Sequence, residues 1–313
     1  MTNLSEFTFL SSDKRTQLHG MLWDVQEVPV RAVLQICHGV AEHIARYDKF
    51  ARALNERGIV VAGHDHLGHG KSLPEGDTPV YFGEGNTWDT VVDDIYVLHQ
   101  RLRQRYPDVP LCIMGHSMGS FLTRTYLIRY PGTVKAAVIM GTGWQSRAAV
   151  NGGLALANAI AAVSGESATS DVVTELAFGS YNKLFAPNRT KVDWLSADEE
   201  NVDAYIADPM CGADATVGLF RQMLHGIRFN QRMSHLRRMD REVPVLFVSG
   251  DKDPVGGCGK GVVQTYEAFK AAGMRDCTLK LYPELRHEIL NERAYAGEIT
   301  EDIASWLLRK AAR

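Results

Sequence analysis

The seven residues Met114-Gly115-His116-Ser117-Met118-Gly119-Ser120 decide the reading of this chain. They end an apolar run from Val109 to Gly115 that predicts a buried strand, and they open a stretch from Met118 to Arg129 that predicts a helix. Glycines two residues before and two after a serine suit a turn so sharp that strand and helix approach where a Cβ would collide. Such a turn strains the serine backbone and holds its hydroxyl at the carboxyl edge of a sheet. The helix start then points N–H groups at any negative charge that develops there.

Working outward, the same order of strand, loop and helix recurs. Glu6 to Leu10, Gln17 to Trp23 and Ala32 to Cys37 read as strands. Ile44, Tyr47, Phe50, Ala51 and Leu54 then recur at helical spacing, closed by Gly58. Ile59 to Gly63 is strand-like, a loop rich in glycine and histidine runs to Asn86, and Trp88, Val91, Ile95, Leu98 and Leu102 mark a second helix. Val134 to Met140 is a further strand. After Gly143 the alternation stops until Val243 to Ser249, and a helix from Val262 to Ala272, a strand from Thr278 to Tyr282 and a helix from Ala294 to Lys310 complete the chain. This order predicts an α/β fold with a mostly parallel central sheet and helices on both faces, its core formed by residues 1–143 and 241–313. Residues 144–240, helical in pattern and bearing Phe178, Tyr181, Phe185 and Trp194, are expected to form an inserted helical cap.

A serine hydroxyl needs a base, and the base needs a third group to orient it. Beyond the insertion, Gly250-Asp251-Lys252-Asp253-Pro254 and Pro283-Glu-Leu-Arg-His287 both leave the carboxyl ends of predicted strands, where sites in open parallel sheets lie. The order is serine, acid, histidine: Ser117, then Asp251 or Asp253, then His287. Spacing leaves the two aspartates equal. Met118, following the serine, supplies one backbone N–H to an oxyanion, and a second is expected from the loop after Ala32–Cys37, at the turn His38-Gly39.

Composition narrows the partners. The 313 residues are 45% hydrophobic and 23% charged, with 34 basic against 37 acidic side chains, so the field of a nucleic-acid binder is absent. No apolar run approaches the roughly 20 residues that span a bilayer, and the expected location is cytoplasmic. Five scattered cysteines, Cys37, Cys112, Cys211, Cys258 and Cys277, without a C-x-x-C pair, predict neither a disulfide framework nor a zinc site. His64-Asp65-His66-Leu67-Gly68-His69 carries Gly68 where a metallo-hydrolase pattern requires an aspartate, and Gly70-Lys71-Ser72 lacks the first glycine of a phosphate loop. The loop is expected to pin its own backbone through Asp65.

His38-Gly-Val-Ala-Glu42-His43-Ile-Ala-Arg46-Tyr47, Asp65-His-x-Gly-His-Gly-x-Ser72, Gly115-His-Ser-Met-Gly119 and Arg286-His-Glu-Ile-Leu-Asn-Glu292 together resemble the monoacylglycerol lipase and lysophospholipase group of the α/β-hydrolase fold. The likeness covers roughly residues 5–143 and 240–310. It implies that Asp253, the last residue of a G-x-x-D motif, is the acid, that Val40 gives the second oxyanion N–H, and that Glu42 and Arg46 order that loop. His287-Glu-Ile-Leu290 lacks the second histidine of well-studied monoacylglycerol lipases, which weakens transfer of their glycerol contacts.

The resulting expectation is a serine carboxylic-ester hydrolase that acts through an acyl-enzyme on monoacylglycerol or lysophospholipid-type esters, with no cofactor and no metal. The alternatives are a short-chain esterase or a peptidase of the same fold, or a non-catalytic receptor. The expected partner is a small acyl ester, with transient contact between the cap and a lipid surface, in a monomer or homodimer.

Overall fold

The computed structural model describes residues 2–312. Eight strands form one sheet: β1 (Thr2–Leu10), β2 (Gln17–Val25), β3 (Ala32–Cys37), β4 (Ile59–His64), β5 (Leu111–His116), β6 (Ala136–Met140), β7 (Val245–Gly250) and β8 (Cys277–Tyr282), in the order β1-β2-β4-β3-β5-β6-β7-β8. β1 and β2 pair antiparallel, as do β2 and β4, and the other pairs are parallel. All six residues of β3 and of β5 are buried, because helices cover both faces. Val33, Leu111 and Ile113 face one layer and Leu34, Ile36 and Met114 the other, as the two-residue strand period requires.

α1 (Asp48–Glu56) and α11 (Ala296–Ala311) pack on the second layer, and α2 (Thr87–Arg105), α3 (Met118–Arg129) and α10 (Lys260–Ala272) on the first. The segment from Ile44 is a 3-10 turn that continues into α1. Three strands start later than their apolar runs suggest, β6 at Ala136 rather than Val134 being one of them. β5 and β7 each begin just after a proline, Pro110 and Pro244, whose missing N–H cannot join a ladder. Cys37 and Cys112 sit in the core, where burial pushes both thiols up to about 12, so they behave as small hydrophobes.

Between β6 and β7 the chain leaves the sheet for α4 (Arg147–Ser164), α5 (Asp171–Thr174), a π-helical turn at Glu175–Gly179, α6 (Ser180–Lys183), α7 (Glu199–Ala207), α8 (Val217–Asn230) and α9 (Met233–Leu236). α4 packs on α8, and α8 packs on the core helix α3. Asn230 fastens that contact through bonds to the Thr125 hydroxyl (2.8 Å) and the Phe121 carbonyl (2.8 Å).

The histidine-rich loop after β4 is a structural knot. Asp65, 1% exposed, accepts the Ile44 N–H (2.8 Å), the Lys71 N–H (2.9 Å) and a bond from His19 Nδ1 (2.9 Å). Its carbonyl accepts the Ser72 hydroxyl at 2.7 Å. Burial acts to raise the Asp65 pKa, but these bonds win and hold it at about 2. His64 and His69 are buried and driven down to about 3 by desolvation first, so both are neutral.

Because the folded pKa of Asp65 is depressed, its stabilisation is present above the unfolded value near 3.8 and fades as pH falls towards 2. Asp65→Asn is expected to cost about 1–3 kcal/mol at neutral pH. Urea denaturation of both forms should show the gap closing between about pH 4 and pH 2; a gap that stays constant would contradict this role.

Candidate active site

Ser117 stands at the junction of β5 and α3 with φ +54° and ψ −123°, a left-handed conformation that costs a non-glycine residue about 1–3 kcal/mol. A Cβ on Gly115 would overlap the carbonyl of Gly119, and one on Gly119 would overlap the carbonyl of Cys37. Side-chain-free residues are therefore what lets α3 start against the end of β3. The loop after β3 folds back over the serine. A Cβ on Gly39 would stand 3.1 Å from Ser117 Cβ.

Met118 is the first residue of α3, so its N–H has no acceptor within the helix. Val40, Met118 and Ser117 share the wall of one chamber. From the next two loops come His287 and Asp253, with His287 Nδ1 3.0 Å from both carboxylate oxygens of Asp253. Asp253 is fully buried and also accepts the Val255 N–H (2.9 Å) and the Ser249 hydroxyl (3.0 Å). Burial pushes the Asp253 carboxyl upward, but the neighbouring His287 and these hydrogen bonds hold it below the usual aspartate range. Asp251 is turned elsewhere: its carboxylate caps the Glu284 N–H at 2.8 Å.

Behind these groups lies a buried ring of charge that sequence reading caught only in part. Glu42 Oε1 accepts the Gly39 N–H (2.6 Å) and the Tyr47 hydroxyl (3.0 Å), and it lies 3.2 Å from His116 Nδ1. Arg46 donates to Glu42 (3.0 Å) and, through both terminal nitrogens, to Glu288 (2.7 and 2.8 Å). His116 Nε2 faces the His287 carbonyl at 3.3 Å, so both of its nitrogens meet acceptors. Burial lowers the His116 pKa and Glu42 raises it, with a net rise. Both carboxylates stay ionised, because Arg46 and His116 outweigh the desolvation that acts to raise them. Glu288 follows His287 directly, yet its partner Arg46 is 242 residues away, so no local pattern could reveal the pair.

Two chambers meet at Ser117. One, of about 140 Å³, is lined by Phe121, Val150, Leu176, Phe220, Met223, Leu224 and Ile227 and is apolar. The other, of about 530 Å³, is also lined largely by apolar groups, among them Phe178, Trp194, Leu195 and Tyr205, and it adds His287 with Glu42, Glu175, Lys183, Lys191, Asp214 and Glu288. The Trp194 ring centroid lies 5.2 Å from that of His287.

Removing one partner of a buried ion pair leaves the other uncompensated. Arg46→Met is expected to destabilise by about 3–5 kcal/mol in urea denaturation, and adding Glu288→Gln should recover part of it. A loss below about 1 kcal/mol would mean that the ring is effectively solvated.

Known proteins resemble this chain in sequence and in fold. The family model described as serine aminopeptidase, S33 (Hydrolase_4) matches residues 28–294. The monoacylglycerol lipase of Mycolicibacterium smegmatis is 31% identical, over 89% of this chain and 88% of that protein. The monoglyceride lipase of Homo sapiens is 29% identical, over 90% of this chain and 84% of that one. A thermostable carboxyl esterase from Bacillus coagulans, solved with glycerol, superposes with a TM-score of 0.90 at 25% identity over 98% of each chain. With its eight-stranded sheet and its serine turn, the chain belongs to the Hydrolase_4 (serine aminopeptidase, S33) family and is a serine hydrolase of the α/β-hydrolase fold.

Proposed function

We propose that this serine hydrolase cleaves the ester of a monoacylglycerol through an acyl-enzyme. Ser117 Oγ attacks the ester carbonyl while His287 takes its proton. The N–H groups of Val40 and Met118 hold the tetrahedral oxyanion. His287 then protonates the leaving glycerol oxygen, Asp253 keeps the ring oriented and stabilises its cation, and water releases the fatty acid by the same steps.

The observation that carries this reading is the pair of chambers joined at Ser117, both largely apolar in lining, with charged side chains gathered in the larger one. An acyl chain suits the apolar lining that the two share. The larger chamber holds four carboxylates against Lys183 and Lys191, and Arg46 and His116 offset two of those carboxylates. So near a balance suits an uncharged polyol better than the phosphate of a lysophospholipid. It also offers a peptide amine little anchor, since Glu42 and Glu288 are engaged by Arg46 and His116, and Glu175 by Lys183 at 2.5 Å. The relatives named monoacylglycerol lipase and monoglyceride lipase support the same choice.

Residues 144–240 serve in this account as a cap over both chambers. α4 buries Val150, Leu154 and Ala157 and leaves Val163 88% exposed, while Val172 and Leu184 nearby are 55% and 60% exposed. Such an apolar surface beside a lipid-sized cleft fits transient contact with a lipid interface. No helix among the described residues is long and apolar enough to cross a membrane. The five unpaired cysteines support a reducing, cytoplasmic setting.

Fatty-acid release from a monoacylglycerol, a lysophospholipid and a short-chain nitrophenyl ester, run in parallel, tests the reading. Release should be fastest from the monoacylglycerol and vanish in Ser117→Ala. Asp253→Asn should lower kcat by about 10⁴, and Asp251→Asn by no more than about twofold. Turnover of the short ester alone would demote the lipid reading to a general esterase, and tight ligand binding without turnover would favour a receptor.

The cap contact has its own check. Val163→Glu, Val172→Glu and Leu184→Glu combined should slow hydrolysis of vesicle-borne monoacylglycerol while the soluble short ester is turned over normally. Equal rates on vesicles would remove the interfacial role.

A further inference from the structure

The cap and the oxyanion loop meet at a second cluster of chemically capable side chains. His43 Nε2 lies 2.8 Å from Asp208 Oδ2, and the ligand atoms of His43, Asp208 and Cys211 all fall within 4.8 Å of one another. Among the described residues no other trio of this kind is found. His43 follows Glu42 on the core loop and is 5% exposed. Asp208 and Cys211 sit on one turn after α7, closed by a bond from the Cys211 N–H to the Asp208 carbonyl at 3.0 Å. That turn is fastened to the core loop, since Ala41 O accepts both the Gly212 N–H (3.0 Å) and the Tyr205 hydroxyl (3.0 Å). The Asp208 side chain is 27% exposed, which leaves an approach from solvent.

We propose that His43, Asp208 and Cys211 bind a borderline-soft divalent cation of the zinc type, joining the cap to the oxyanion loop. Imidazole nitrogen, carboxylate oxygen and thiolate sulfur form a three-ligand set for such an ion, with a fourth position left for water. Ligand atoms around a tetrahedral zinc stand about 3.3–3.6 Å apart, so side-chain shifts of about 1 Å complete the site. The local charge favours a cation. Glu42 and Glu288 are offset by Arg46 and His116, and Asp208 adds negative charge beside them. Burial holds Cys211 as a thiol; when the cation binds, the sulfur donates a lone pair to it and the thiol proton passes to water, while the hydrogen that His43 Nε2 shares with Asp208 moves through solvent to Nδ1, so uptake releases one proton. None of the three ligands lines the chamber that holds Ser117 and His287, and the proposal does not depend on the ester reading.

The test is titration of chelator-treated full-length protein with zinc against a chromophoric chelator, and with cobalt(II) followed by absorbance. The wild type should take up one equivalent and, with cobalt, show a sulfur-to-metal charge-transfer band. Cys211→Ser should abolish the band, and Cys211→Ser and His43→Gln should each weaken zinc uptake by at least about tenfold. Cys258→Ser, which removes an exposed thiol elsewhere, should change neither. Melting temperatures in chelator establish that each variant is folded, and zinc should raise that of the wild type but not of Cys211→Ser. Absence of stoichiometric uptake by the wild type overturns the proposal, as does a band or an affinity that survives in folded Cys211→Ser.

Discussion

The close approach of α3 to the end of β3 is the constraint on which the site depends. Gly119 stands where any side chain would strike the Cys37 carbonyl, and Gly115 where one would strike Gly119 itself. That contact forces Ser117 into a left-handed backbone and brings the loop at Gly39 over its Cβ. The remaining groups arrive because parallel strands end on one edge. Loops after β3, β5, β7 and β8 carry Val40, Ser117, Asp253 and His287 to the same side of the sheet.

Position alone does not hold these loops, which are irregular backbone lying on buried charge. Glu42 fixes the Gly39 N–H, and Arg46 links Glu42 to Glu288, the neighbour of His287. His116, the neighbour of Ser117, touches both Glu42 and the His287 carbonyl. One carboxylate thus communicates with three loops. Its geometry rests on satisfied hydrogen bonds as much as on attraction between charges, since buried ions unpaired in this way would be costly.

Much of this was legible in the sequence, for physical reasons. β3 and α3 have the limits that the sequence predicts, because β3 ends at the His38-Gly39 turn and α3 starts at the glycine-flanked serine. The order of serine, acid and histidine follows from strand order. Asp251 and Asp253 were indistinguishable by spacing, since two residues on one loop differ only in which way their side chains turn; in the fold Asp251 caps Glu284 and Asp253 meets His287. The Arg46–Glu288 and His43–Asp208 pairs join residues 242 and 165 positions apart and leave no periodic trace. The insertion was legible only as helical. Its four-residue helices and its π-helical turn are too short to display a face, so the division into two chambers emerges only from packing.

Acylation of Ser117 is the step on which the proposed hydrolysis turns. Rapid acid quenching of the enzyme mixed with a nitrophenyl ester, followed by intact-mass and peptide mass spectrometry, tests this directly. The account predicts a transient mass gain equal to the acyl group, located on the peptide bearing Ser117 and absent from Ser117→Ala. Turnover without any such adduct, or an adduct that persists in Ser117→Ala, would contradict it.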